Sequence, residues 1–327
     1  MPEVTDPWRP CADLPALRAR ARLLAELRAF FAERGVLEVE TPILSAAANP
    51  DPAIEPLHLD AALTGDGPRR RYLQTSPEFP MKRLLAAGSG PIYQVCKVFR
   101  LDERGRRHHP EFTMLEWYRP GFSLDELMDE VALLLRRLAP TDPLPVARIR
   151  YRDLFYDGLG VDPWRTSPAA LRAVAEARGI AGAGELDLDR DGWLDLLLCC
   201  CLEPELGCAG LTFVYDYPPS QAALARVMPG ERPVARRFEL YWRGLELANG
   251  FDELADAAEQ RRRFRQDLAV RAARGQDALP ADEHLLAALA YGLPACAGVA
   301  LGLDRLLVCV LGADHIDAVL AFPVERA

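Results

Sequence analysis

Residues 98–120 read VFRLDERGRRHHPEFTMLEWYRP. An apolar run ends on Phe99-Arg100, a loop crowded with charge follows, and a second apolar run from Phe112 to Tyr118 carries Glu116 inside it. The spacing predicts two strands, Ile92–Arg100 and Glu111–Tyr118, joined by that loop. A strand repeats every two residues, so Phe112, Met114, Glu116 and Tyr118 share one face. A carboxylate buried there without a partner would be costly. Glu116 therefore asks for a cation, and Arg100, closing the preceding strand, asks for an anion. The loop mouth gathers Arg100, Asp102, Arg106, His108 and Phe112. A solvated hairpin loop accounts for Arg104, Arg106 or Arg107 taken singly, but it does not explain Glu116.

A second constellation lies in RFELYWRGLELANGFDEL, residues 237–254. If Arg243-Gly244 is a two-residue turn, Tyr241 faces Glu246 and Glu239 faces Ala248. Glu239 and Glu246 then lie on one face as diagonal neighbours, about 7–8 Å apart at the backbone. That spacing suits two carboxylates sharing hard cations, with water and phosphate oxygens completing the shell. An exposed polar hairpin face is the alternative, and Leu240, Trp242, Leu245 and Leu247 are buried under either. A third segment, GVALGLDRL at residues 298–306, joins a strand of small residues to a helix that Asp304 caps and from whose first turn Arg305 projects. Small residues let a flat ligand approach the backbone.

Around these segments the chain alternates helices and hairpins. Leu14, Leu17, Ala21, Leu24 and Leu27 recur at helical spacing over residues 13–34, with Gly35 as C-cap. A short strand over Val36–Glu40 leads into Thr41-Pro42. Ser76 is expected to cap a helix with Pro77 at its first position. Residues 140–230 read as an insertion-like, Pro-rich stretch with helices near 168–178 and 192–202 and a strand at Leu211–Tyr215. An arginine-rich helix covers roughly 254–274. Strands paired in hairpins with helices interspersed predict an α+β fold, an antiparallel sheet flanked by helices in one domain over residues 1–327.

With 327 residues, half of them hydrophobic and 27% charged, a full core is within reach. The net charge of −9 disfavours blanket nucleic-acid binding. The N-terminus has no apolar signal region and no run approaches membrane-spanning length, so the chain is expected to be soluble, cytoplasmic and free of membrane partners. Eight cysteines in a chain this long are no disulfide framework. Cys199-Cys200-Cys201 reads as buried core packing and not as a zinc site. No GxxxxGK[ST], GxGxxG or GxSxG pattern is present, so a phosphate site would use arginines and metal ions on a sheet.

Taken together and in order, the segments resemble the three motifs of class II aminoacyl-tRNA synthetases. The helix and strand ending at Pro42 look like motif 1, FRLDE…HHPEFTMLEWY like motif 2 and GVALGLDRL like motif 3. TSPEF, HHPEFTMLEWY and ELANGFDELADAAEQ are closest to the lysyl enzymes. Those enzymes carry an N-terminal OB-fold that reads the anticodon, whereas here about a dozen residues precede the first helix, so no anticodon-binding domain is expected. Ser76 stands where the lysyl enzymes have alanine and Ala300 where they have glycine. Both features resemble the stand-alone paralogues that attach (R)-β-lysine to a lysine of elongation factor P. Leu101-Asp102 departs from their usual Asn-Glu, and His109 from their asparagine.

The resemblance implies an ATP-dependent ligase with elongation factor P and (R)-β-lysine as substrates, tRNA not expected, and a homodimer formed through motif 1. It assigns Arg100 and Arg305 to catalysis. Arg100, Leu101, Asp102, His108, His109, Phe112, Glu246, Leu247, Gly302 and Arg305 are assigned to ATP, with Phe112 and Arg305 on the two faces of adenine. Ser76, Pro77, Glu78, Glu116, Tyr118, Asn249, Glu253 and Ala300 are assigned to the amino acid, and Glu239 and Glu246 to Mg²⁺. Two other readings stay open: a truncated lysyl-tRNA synthetase-like enzyme acting on α-lysine, and a non-catalytic synthetase-like regulator.

Overall fold

The structure is a computed structural model that describes residues 8–62, 69–139 and 144–327. Its contacts gather into two compact units, residues 1–122, 137–139 and 254–327 in the first, and 123–136 and 140–253 in the second. The sequence reads as one body with an insertion over 140–230; the second unit also takes in residues 123–136 and 231–253.

Unit one begins with α1 (Leu14–Ala32), β1 (Leu37–Glu38), β2 (Leu44–Ser45), β3 (His58–Ala61), β4 (Arg69–Leu73), α2 (Glu78–Ala86), β5 (Ile92–Phe99) and β6 (Glu111–Pro120). Unit two holds α3 (Leu124–Leu138, all but its last turn), β7 (Val146–Arg150), α4 (Tyr151–Leu159), α5 (Pro168–Ala177), α6 (Arg190–Leu197), β8 (Leu211–Tyr217), β9 (Val227–Met228), β10 (Val234–Trp242) and β11 (Leu245–Asp252). The remainder belongs to unit one: α7 (Ala257–Ala273), α8 (Glu283–Gly292), β12 (Cys296–Gly302) and α9 (Leu303–Leu311).

In unit one the strands run β1-β5-β6-β12, with β1 parallel to β5 and the rest antiparallel, and β2-β4-β3 form a smaller antiparallel sheet. One face of β5 and β6 packs on α1. Phe31 stacks on Tyr93 at 4.4 Å and meets the edge of Trp117 at 5.4 Å. Each such ring buries about 150–250 Å², worth at most about 4–6 kcal/mol. Anchorage by Leu115 and Trp117 on this side lets the alternate residues of β6 carry polar chemistry on the other. α1 is a helix as expected, capped by Asp13, whose carboxylate accepts from Ala16 N at 2.8 Å. Its buried face, however, is Ala16, Ala19, Leu23, Leu27, Phe30 and Phe31. The stripe of Leu14, Leu17, Ala21 and Leu24 lies beside that face, and Leu14 is 65% exposed.

Unit two orders its strands β7-β8-β10-β11, with β9 on β10, and only β7 and β8 among these pair in parallel. Its core gathers Tyr151, Phe155, Trp193, Leu194 and Leu197 from the helices against Val214, Tyr217 and Tyr241. Arg243 and Gly244, with φ of 55° and 65°, form the two-residue turn that joins β10 to β11. A Cβ on Gly244 would come within 2.9 Å of Pro204 O, so glycine is required there for room as well as for φ. The three adjacent cysteines depart from the expectation of a buried helix. Leu198–Leu202 is a π-turn that buries both leucines and exposes Cys199 and Cys200.

Candidate active site

Glu116 sits in the middle of a row that crosses three strands, with Gln94 of β5 on one side and Ala300 of β12 on the other. It is 2% exposed. Ser76 Oγ donates to its Oε2 and Tyr118 OH to its Oε1, both at 2.7 Å. Burial, then the neighbouring Glu78 charge, push the Glu116 carboxyl up to about 7 against those hydrogen bonds and Lys82. Ser76 was expected to cap α2. Pro77 holds that position, and Ser76 Oγ accepts instead from Glu78 N at 3.0 Å while donating to Glu116. Glu78 in turn accepts from the buried ammonium of Lys82 at 2.6 Å. The pocket thus combines two carboxylates with one internal cation, a net negative charge suited to an amine. A cavity of about 470 Å³ opens beside Ser76 and Glu78, with Ala47, Gln74, Phe79 and Asp282 in its wall.

Arg100 reaches the same neighbourhood. Its guanidinium pairs with Glu103 at 3.0 Å, makes long bonds to Thr75 O at 3.4 and 3.5 Å, and lies 5.2 Å over the Phe112 ring. Leu101 and Asp102 are exposed on the following turn. Arg305, from the first turn of α9, bonds Arg107 O at 3.2 Å, and Gly302 is the N-cap. Partial desolvation, then Arg305, hold the His108 ring below its ordinary range.

Two expectations in this region are corrected. His109 is buried, its Nδ1 donating to Glu111 O at 2.5 Å and its Nε2 accepting from Val324 N at 2.9 Å, so neither ring nitrogen is left for a nucleotide. Asp304 is no cap. It is 1% exposed, pairs with Arg20 of α1 and accepts from Thr113 N at 2.6 Å, fastening β6 and α9 to α1. Arg104 and Arg106 are structural, the first on Asp317 and Glu325, the second on Asp314.

In unit two, Tyr241 faces Glu246 as expected, but a shift in register sets Glu239 opposite Asn249 in place of Ala248. Both carboxylates remain on one face, with Leu247 absorbed by the irregularity. Glu239 pairs with the Arg237 guanidinium and accepts from Tyr241 OH at 2.5 Å. It is 8% exposed, so the face is no solvated one. Asn249 Oδ1 is buried with no hydrogen-bond partner, and Glu253, also buried, bridges to Ala225.

The motif 2 strand pair, the motif 3 strand–helix junction and the buried carboxylate between them are thus in place in one unit. The family model for tRNA synthetases class II (D, K and N) matches residues 14–326. The chain belongs to the class II tRNA synthetases (D, K and N). Among its relatives are proteins named elongation factor P--(R)-beta-lysine ligase from Salmonella dublin, Salmonella gallinarum and Salmonella paratyphi B. Each is 47% identical over 326 residues, covering 99% of this chain and 99% of the relative.

As a class II synthetase the chain uses ATP. Four residues at these positions escape a reading of the sequence alone. Lys82 lies one helical turn past Glu78, a spacing that could have signalled the pair. Arg237 lies two residues before Glu239 on the same strand face. Glu103 is three residues past Arg100. Gln94 shares a face with Glu116 through a register that the eleven residues between Phe99 and Glu111 conceal.

Proposed function

We propose that the enzyme activates (R)-β-lysine with ATP and transfers it to a lysine side chain of elongation factor P. The observation that carries this reading is the buried Glu116, held by Ser76 and Tyr118 with Ala300 beside it. The names of the full-length relatives support the same substrates. In the first step a substrate carboxylate oxygen attacks the α-phosphorus of ATP and pyrophosphate leaves. That carboxylate is ionised at neutral pH, so the step calls for positioning and charge neutralisation and needs no base. Glu116 and Glu78 would hold the amines, Arg100 the α-phosphate and substrate carboxylate, and Phe112 and Arg305 the adenine. In the second step the deprotonated acceptor amine attacks the acyl carbon and AMP leaves.

Glu239 and Glu246 would hold Mg²⁺. Two carboxylates from adjacent strands suit a cation that keeps waters and phosphate oxygens as its other ligands. Among the described residues no group of three His, Cys, Asp or Glu gathers to hold a metal. When bound, the ion neutralises phosphate charge. Arg237 and Tyr241 keep the Glu239 carboxylate fixed.

The stripe of exposed Leu14 and Ala21 and half-buried Leu17 and Leu24 supports a homodimer through α1. Among the described residues no helix is long and apolar enough to cross a membrane. ATP–pyrophosphate exchange with (R)-β-lysine, set against α-lysine, tests the reading. Faster exchange with the β isomer is expected, and no exchange with either would overturn it.

A further inference from the structure

Gln94 is 3% exposed, and its side-chain oxygen is buried without a hydrogen-bond partner. Such an acceptor is costly to retain and calls for an explanation. Packing supplies none, since an apolar residue would fill the space without that penalty. Burial, then Glu116, push the Cys96 thiol up to about 12, and the side chains of Gln94 and Gln74 oppose this by hydrogen bonding to it. The Gln94 oxygen itself has no partner among the described residues.

Its position points to one. Gln94 lies directly opposite Glu116 in the β5–β6 pair. Side chains so paired start about 4.5–5.5 Å apart at Cβ, close enough to touch one atom between them. The two oxygens of Glu116 already accept from Ser76 and Tyr118, neither of which carries charge. An ammonium arriving at Glu116 brings three N–H donors. The carboxylate takes one, and Gln94, paired directly opposite, offers a buried acceptor without a partner.

We propose that Gln94 recognises the substrate directly, its side-chain oxygen accepting a hydrogen bond from the same ammonium that neutralises Glu116. This rests on the diamino-acid reading above and adds a residue to it. The arrangement favours an ammonium over a hydroxyl, because a hydroxyl has one proton to give and would leave Gln94 unsatisfied. It also adds an acceptor without adding a second full charge beside Glu116.

The test compares wild type with Gln94→Met, which keeps the length of the side chain and removes the acceptor. Two single-amine analogues of β-lysine, 6-aminohexanoate and 3-aminohexanoate, are titrated by calorimetry and as inhibitors of exchange. A hydrogen bond to a charged group corresponds to roughly a tenfold to hundredfold change in affinity. The variant should weaken one analogue by about that factor and leave the other, and ATP, within about twofold. Equal losses for both analogues would reduce Gln94 to a structural role, and no loss for either would remove it from recognition. Where Gln94→Met fails to fold, Gln94→Asn, which withdraws the same amide by one methylene, replaces it with the same expectation. Absence of exchange with (R)-β-lysine in the wild type would overturn the functional reading, while the calorimetric comparison would still decide this contact.

Discussion

Replacing Tyr118 by phenylalanine should change the pH dependence of the enzyme more than its maximal rate. The Tyr118 hydroxyl donates to Glu116 Oε1 at 2.7 Å inside a closed pocket. A hydrogen bond to a charged group is worth about 1.5–3 kcal/mol, and 1.36 kcal/mol corresponds to one pKa unit, so its loss should raise the carboxyl by roughly 1–2 units. Glu116 already titrates at about 7, lifted by burial and Glu78. Tyr118→Phe would therefore place it near 8–9. A substrate ammonium binds the ionised form, so kcat/KM rises with pH up to the free-enzyme pKa and levels above it. At pH 7 protonation alone should lower the variant's kcat/KM by roughly 5- to 50-fold, and the deficit should shrink as the pH is raised toward 8.5. Pyrophosphate exchange across pH 5.5–8.5, with amino acid subsaturating, gives both profiles. Ser76→Ala should shift the inflection in the same direction. A deficit independent of pH would show that Tyr118 acts by contact or packing and that Glu116 does not titrate in this range.

The same carboxyl links substrate to stability. Its folded value, about 7, lies above its ordinary 4.5, so stability present below pH 4.5 is lost as pH rises through 7, by about 3 kcal/mol. The Tm gain from added (R)-β-lysine should therefore be larger at pH 8 than at pH 5.5 in thermal scans; equal gains would contradict this. Asp304→Ala leaves Arg20 without its buried partner and Thr113 N without an acceptor, and urea unfolding should show a loss of about 3–5 kcal/mol. Ala300→Gly should improve use of α-lysine relative to (R)-β-lysine by a factor equivalent to about 1–3 kcal/mol, measured as a ratio of exchange efficiencies, with ATP binding unchanged. Sedimentation at micromolar concentration should give about twice the 36.2 kDa chain mass; a monomer alone would reject the dimer.

Much of the arrangement in unit one was legible because β6 obeys the two-residue period strictly. Phe112, Met114, Glu116 and Tyr118 could be placed on one face from spacing alone. The buried face of α1 could not. The helix turns alanines and phenylalanines inward, where close approach to Tyr93 and Trp117 matters more than hydropathy, and leaves leucines at its flank. Register across long loops was also hidden, so Gln94 stayed invisible beside Glu116. His109 shows a further limit, since its ring is occupied by a backbone amide 215 residues away. The shift in β11 that brings Asn249 opposite Glu239 has no signature in the local pattern.

The loop that carries Arg100 is held from far along the chain. Arg106 is bound by Asp314, Arg104 by Asp317 and Glu325, and His109 by Val324, at separations of 208 to 221 residues. During biosynthesis these partners leave the ribosome long after the loop does. At about 5–20 residues per second the interval is on the order of 10–45 s. Over that interval a nascent chain would carry both motif 2 strands without the clasp on their connecting loop. A polypeptide cut short before residue 314 would keep Glu116 and Arg100 yet lack every one of these ties.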